Sequence, residues 1–540
     1  MHETTPLLQN QQQHASLPKR RLLVVFPALA LIHFTSFLDQ SAISTSLPAI
    51  ASALDLGASV SLVGASFLIT STSIQLINGR LSDIFGRKAS LVAALSIMAA
   101  GNLWSGFSAT GVQLFISRAF TGFGAGAINA LVQIAIADLT TLEQRGYYFG
   151  MIGMAVALGN GLGPLVGGVL TQRFGWQWGA FWFVCPLCLI SIIYLMLVWP
   201  TTTTTTTKPS GGSSCSPAKD GPGIWDKLKL VDWAGAWVSL FSIALLLIPI
   251  SQCGSTMSWA SPVAVSMLIA GTVLFGVFLA IEWRFARLPL LPARLFQYNR
   301  STNILIGANI LIGWIYWGNL FLVPLYLQNA RGSSPSQAGV LMLPMVVTHG
   351  LTSGLTGVII YILGRYKPVI VAGAVCWVLG ALLKVTHYHE ATPTWQIVVV
   401  GILDGVGVGC SLQPVLVGMF AGSDPEDRAV LTGLRNFVRD MGGATGTTVS
   451  GAILSNVQSV RVRGMTTSDM MTRRDYITGL RAVFISFAVL TTLHLCACVC
   501  IRDYGLKQGS NKARPGQQKH VEEERVTGQS NREEQQSISS

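Results

Sequence analysis

Charge is scarce in this chain of 540 residues. Asp, Glu, Lys and Arg make up 11% of it, against about 25% in soluble domains, while 50% is hydrophobic. That little charge cannot cover a water-facing surface, which excludes an ordinary soluble globule and leaves the bilayer as the solvent. A nucleotide-binding Gly-x-x-x-x-Gly-Lys-Ser/Thr loop is also missing, so bound ATP is not the expected energy source. No catalytic set of side chains emerges. His387, His389 and Glu390 cluster near the end of one apolar run but lack a complete metal-ligand pattern. Neither an enzyme nor a bound metal or cofactor is expected. Cysteine is sparse at nine, and Cys185-Pro-Leu-Cys188 lies inside an apolar run, where small packing residues are expected rather than a redox pair. The net charge of +12 does not point to nucleic acid, because the Lys and Arg sit mostly in loops and tails. No cleavable leader is expected, since the first apolar run is long and follows a polar stretch.

What the chain has instead is long apolar runs. About 20 apolar residues cross the hydrocarbon as a helix. On that measure fourteen spans are expected, near 22–50, 59–79, 89–108, 112–139, 147–171, 180–199, 232–252, 260–282, 302–328, 338–362, 368–387, 395–419, 435–457 and 480–501. The chain therefore reads as an all-α polytopic membrane protein. With both termini on the cytoplasmic side, 25 of the 36 Lys and Arg fall inside and eight outside, Lys384 among the latter. Residues 1–21 form a polar tail in which Glu3-Thr4-Thr5-Pro6-Leu7-Leu8 matches an acidic dileucine sorting signal. Residues 201–231, with seven consecutive threonines, read as a flexible cytoplasmic linker, and 502–540 as a second polar tail.

Between the second and third spans lies Gly79-Arg-Leu-Ser-Asp83-Ile-Phe-Gly86-Arg87-Lys88. Gly79 and Gly86 allow tight bends, while Arg87 and Lys88 place positive charge at a membrane face. This loop resembles the signature Gly-x-Leu-x-Asp-x-x-Gly-Arg-Lys/Arg of the major facilitator superfamily. Weak internal echoes agree with it. Gly122-x-Gly124-x-Gly126 is matched by Gly405-x-Gly407-x-Gly409, Gly79-Arg80 by Gly364-Arg365, and Leu31-Ile32 by Leu311-Ile312, which sets Asp39 opposite Asn319. The resemblance implies the major facilitator fold: a six-helix half over 22–200, a second over 302–501, and an inserted helix pair over 232–283. That layout resembles the fourteen-helix drug–proton antiporter branch, as in fungal multidrug and toxin exporters.

Asp39 lies inside the first span, where a carboxylate is costly and should face a cavity or be protonated for part of a cycle. The alternative is a carboxylate bonded to Ser36 or Ser41. Arg118, in Leu114-x-x-x-Arg118-x-x-Thr121-Gly122, resembles the superfamily's fourth-helix motif, whose arginine is implicated in proton transfer; Thr121 replaces the usual Gln. A guanidinium keeps its proton, so it can act only on a neighbour. The fifth span carries Gly159, Gly163 and Gly167 every four residues, with Pro164 and Gly168 beside them. This resembles the motif that marks exporters of the superfamily. The expectation is that this smooth face, and its counterpart Gly442, Gly446 and Ser450, rock against each other across the central cavity. Arg435 and Arg439 open the thirteenth span and are expected to latch onto Asp83. Asn129, Gln133, Asn309, Trp314, Tyr316, Trp317, Asn319, Asp404 and Gln413 are candidate cavity residues for an amphipathic aromatic compound. Asp404 is equally readable as a carboxylate near a helix mouth.

The resemblance implies a secondary exporter of small, mostly apolar organic compounds in exchange for protons, a multi-pass protein of the plasma membrane working as a monomer. Its partners would be the cargo, protons and lipid, without nucleic acid. Two alternatives stay open: a vacuolar importer of basic amino acids or related cations, which suits the dileucine signal, and a transport-dead nutrient sensor.

Overall fold

The computed structural model describes residues 19–56, 61–199, 233–252, 257–284, 296, 300–333, 335–423, 427–462 and 473–506. The dileucine motif, the 201–231 linker and nearly all of the second tail lie outside these residues.

Fourteen α-helices occur among the described residues, one on each expected span. The first six are α1 (Lys19–Ala53), α2 (Ser61–Phe85), α3 (Arg87–Gly106), α4 (Gly111–Leu139), α5 (Leu142–Phe174) and α6 (Val184–Val198). A pair follows, α7 (Trp233–Gln252) and α8 (Pro262–Arg284). The last six are α9 (Arg300–Leu325), α10 (Pro335–Leu363), α11 (Lys367–His387), α12 (Thr394–Ala421), α13 (Arg428–Val462) and α14 (Arg473–Cys500). Eleven described helices are long and apolar enough to cross a membrane, and α2, bent by 50° near its middle, makes a twelfth. α7 has only a short apolar stretch, Trp237–Ile250. α13 is long but rich in Gly, Thr, Asn and Arg, which is the composition of a helix shielded by protein on several sides.

The first and last six helices pack in the same scheme. α1 lies on α5 and α6, and α9 on α13 and α14. α2 and α3 flank α4, and α10 and α11 flank α12; α3 also meets α6, as α11 meets α14. α4 and α12 are the inner helices of their sets, buried along most of their length. The turn between the second and third helix is made alike in both sets. Gly86 (φ 87°) donates its N–H to Ser82 O, and Gly364 (φ 64°) donates to Ile360 O. A left-handed φ is cheap only for glycine. The geometry therefore pairs Gly364-Arg365 with Gly86-Arg87, not with Gly79-Arg80 as the sequence echo suggested. The pair α7 and α8 pack on each other, where Ser242 Oγ donates to Gly271 O at 2.9 Å, and α7 rests on α2 and α13.

Small residues set the helix seams, because a missing side chain lets backbones approach. The expected moving face turns out to be one of these seams. A Cβ on Gly159, Gly163 or Gly167 would meet Phe34 O, Leu38 O or Ala42 O, all on α1 of the same half. Ser41 and Thr45 stitch this seam by donating to Gly159 O and Pro164 O, each at 3.0 Å. Gly168 lies at its edge, where an added Cβ would be 3.7 Å from Thr45 Cβ. Gly442 and Gly446 likewise face Ile310 and Trp314 of α9. These faces bind helices within each half and do not touch across the molecule.

The halves meet through a different glycine face of α5. Gly146, Gly150 and Gly153 lie against Ile360, Gly357 and Ser353 of α10. A Cβ on Gly150 would stand 2.5 Å from Ser353 O, and one on Gly357 2.5 Å from Gly146 O. α2 meets α13 where a Cβ on Gly79 would be 3.0 Å from Ala429 O. Arg145, expected in a loop, is buried with its guanidinium 5.6 Å from the Phe420 ring of α12, and it donates to Ala137 O at 2.8 Å. These contacts close the molecule at the end that carries the signature loop.

Candidate functional site

Three polar assemblies lie along the interior. The first joins α1, α3 and α4. Asp39 and Arg118 are both buried, with Arg118 Nη1 3.5 Å from Asp39 Oδ2 and 3.4 Å from Asn102 Oδ1. Phe67 and Phe181 cover the guanidinium, with ring centroids at 4.6 and 5.5 Å. The alternative partners of Asp39 are engaged elsewhere: Ser36 donates to Asn129 Oδ1 at 3.3 Å and Ser41 to backbone. Two candidates far apart in sequence are thus brought together, and Asn102, an unremarked amide in an apolar run, completes the set. At 3.5 Å the pair is looser than a bidentate carboxylate–guanidinium contact, which leaves it separable.

The second assembly is its counterpart in the other half, from α9, α11 and α12. Lys384 Nζ lies 2.5 Å from Asp404 Oδ2 and donates to Asn319 Oδ1 at 2.6 Å. All three residues are buried. Lys384 was assigned to the outside on its nearness to the end of a span. The structure turns it inward, because Asp404 on the next helix offers a full opposite charge that offsets its desolvation there. Asn319 and Asp404 therefore belong to an ion cluster and not to the wall of the central cavity.

The third assembly is a cavity of about 20 Å³ where the two halves face each other. Its polar wall is His33, Gln133, His349, Gln413 and Arg439; its apolar wall includes Phe37, Val156, Tyr316, Trp317 and Leu412. Of the sequence candidates, Gln133, Tyr316, Trp317 and Gln413 line it. Asn309 instead donates to Leu305 O at 2.7 Å, and Trp314 packs over Gly446. His33 and His349 escaped the sequence reading because a lone histidine in an apolar run carries no periodic signal; only the fold aims both at one space.

Arg435 and Arg439 do not serve as partners of Asp83 in this conformation. Arg435 is fully buried and donates to Gln133 Oε1 (3.1 Å), Asn436 Oδ1 (3.0 Å) and Leu412 O, joining α13 to α4 and α12. Arg439 pairs with Asp440 at 3.1 Å, and Asp440 also accepts from Gln75 of α2 at 3.1 Å. Both arginines start about two turns or more inside α13, beyond the reach of the loop end. Asp83 pairs with Arg87 at 2.6 Å, and Arg87 reaches Asp138 at the end of α4 at 2.9 Å. The signature loop thus clamps α2, α3 and α4 of one half, while Lys88 donates to Met196 O of α6 at 3.3 Å.

The duplicated packing, the signature-loop clamp and the buried charge on the first and fourth helices are joined by a match of residues 29–299 and 305–530 to the family model described as Major Facilitator Superfamily. The chain belongs to this superfamily. Among superfamily relatives it is similar to Citrate exporter 1 of Yarrowia lipolytica, 32% identical over 536 residues, 95% of this chain and 76% of that protein. It is also similar to Efflux pump dotC of Dothistroma septosporum (strain NZE10 / CBS 128990), 31% identical over 440 residues, covering 81% and 72%. Among solved structures it resembles the human organic anion transporter MFSD10 (TETRAN), with a TM-score of 0.61 and 17% identity over 89% of this chain and all of that one. Superfamily members are transporters and not enzymes, and this one is a multi-pass membrane protein.

Proposed function

We propose that the chain is a secondary exporter that moves small organic compounds outward in exchange for protons, acting as a monomer in the plasma membrane. The observation that carries the reading is the buried Asp39–Arg118 pair, in a molecule that also holds a cavity between its two halves. A proton arriving on Asp39 would cancel the charge that holds Arg118, while Asn102 and the faces of Phe67 and Phe181 keep the guanidinium in place. Arg118 keeps its own proton throughout, so the carboxylate is the group that loads and releases. The names of fungal relatives, an efflux pump and a citrate exporter, support the outward direction. The compact Gly-Pro seam between α1 and α5 supports it through resemblance to the exporter motif.

The cytoplasmic face is taken as the end carrying the signature loop, and closure there would give an outward-directed state. Asp83 and Arg87 would then act on that closure indirectly, by fixing the end of α2 that abuts Ala429 of α13. Accumulation in inside-out vesicles tests the reading. Uptake should require an imposed gradient, acid inside, and should collapse with a protonophore. Uptake that ignores the gradient contradicts proton exchange. A fluorescent fusion decides between the plasma membrane and the vacuole, the alternative that the dileucine motif motivates.

A further inference from the structure

We infer that the central cavity is built for an organic anion: a small molecule bearing a carboxylate on an apolar or aromatic body. The inference rests on the export reading only in taking this cavity as the cargo site.

The polar wall is rich in donors and cations. Arg435 is fully buried and its hydrogen bonds among the described residues go to neutral oxygens, two of which belong to the cavity-lining residues Gln133 and Leu412. Arg439 lines the cavity itself and shares the carboxylate of Asp440 with Gln75. One described carboxylate therefore faces two guanidinium groups. The acid on α1, Asp39, is taken by Arg118. A guanidinium held away from water without a counter-charge is costly, and an anion arriving in the cavity supplies that charge.

Unmet polar atoms point the same way. His33 is 1% exposed and both its ring nitrogens lack a partner, so its ring N–H is available to donate to an anion. His33 and His349 reach the same space from α1 and α10. Beside His349, with ring centroids 5.8 Å apart, Tyr316 meets Trp317 edge-on at 5.4 Å, an aromatic wall suited to a flat apolar body. A lipophilic cation would meet like charge here instead of compensation. In this conformation the space holds about one water, so the cargo would enter as the halves part.

Binding to the purified full-length protein in nanodiscs, with no pH gradient, tests this directly. The probes are citrate, 1-naphthoate, the uncharged methyl ester of 1-naphthoate, and tetraphenylphosphonium, read by quenching of tryptophan fluorescence. 1-Naphthoate should bind about tenfold or more tighter than its ester, and citrate, which lacks the apolar body, should bind more weakly than 1-naphthoate. Tetraphenylphosphonium should not compete. Arg439→Gln and Arg435→Gln, each checked for a wild-type melting profile, should weaken carboxylate binding about tenfold and leave the ester unchanged. If Arg435→Gln does not fold, Arg439→Gln carries the test. Equal affinity for ester and acid, competition by the cation, or an unchanged carboxylate affinity in the folded variants would overturn the inference. A carboxylate that binds but drives no proton movement would sink the export reading and leave this one standing.

Discussion

Asp39 and Arg118 are legible in sequence because an ionisable residue in a long apolar run has few innocent explanations. Their partnership is not legible, since 79 residues separate them and Asn102 carries no charge to mark it. Replacing Asp39 with Asn keeps the shape but removes the charge that faces Arg118 and the site that loads a proton. The variant should fold and bind cargo as the wild type does, yet lose gradient-driven transport; full proton-driven transport in vesicles would take Asp39 out of the coupling role. Lys384 shows the opposite failure of sequence reasoning. It lies three residues from the end of α11, where a lysine ordinarily reaches water, and only the position of Asp404 on α12 draws it inward. Lys384→Met leaves a buried carboxylate without its cation, which costs about 3–5 kcal/mol. The double variant Lys384→Met/Asp404→Leu removes both charges and should recover most of that loss. Thermal unfolding in detergent measures both. A double variant no more stable than the single one would mean that the pair is not what the site's stability depends on.

Helices were the most legible level, because runs of about 20 apolar residues admit little else in a bilayer. Their contacts were less so. Glycine spacing every four residues announces a close helix seam, yet it does not say which helix lies on the other side. On α5 there are two such faces, and the one that resembles the exporter motif is the seam inside a half. Gly163→Leu would drive a side chain into Ser41 and Leu38 of α1. It should therefore lower the yield of folded protein, measured by monodispersity after extraction, more than it slows transport per molecule. Normal yield with failed transport would restore the idea of a moving face. Gly150→Leu makes the contrasting case, because its neighbours Ser353 and Gly357 belong to the other half. Each half should still fold, but the loop end should be held open. Cysteine accessibility at that end should rise and at the opposite end fall; unchanged accessibility at both ends would remove the α5–α10 contact from the closing mechanism.

At the scale of the molecule, duplicate packing places an acid–amide–base cluster in each half, drawn both times from the first, third and fourth helices. The pieces are permuted: the acid sits on the first helix in one half and on the fourth in the other. Between them lies a cavity whose wall joins α1, α4 and α5 to α9, α10, α12 and α13. Sequence echoes exposed the duplication but mispaired one turn, since Gly79 and Gly86 both precede an arginine and only the left-handed φ of Gly86 tells them apart. The latch is likewise misplaced by the sequence, because about two to three helical turns from Arg428 carry Arg435 and Arg439 away from the loop end and toward the cavity. The proposed mechanism is obligatory exchange of cargo for protons through Asp39. The most direct measurement is proton movement in sealed liposomes containing the purified chain and an internal pH dye, started by an outward or inward gradient of cargo alone. Protons should flow opposite to the cargo, reversing when the cargo gradient is reversed and absent in Asp39→Asn. Cargo movement with no proton flow, or proton flow in the same direction as the cargo, would contradict it.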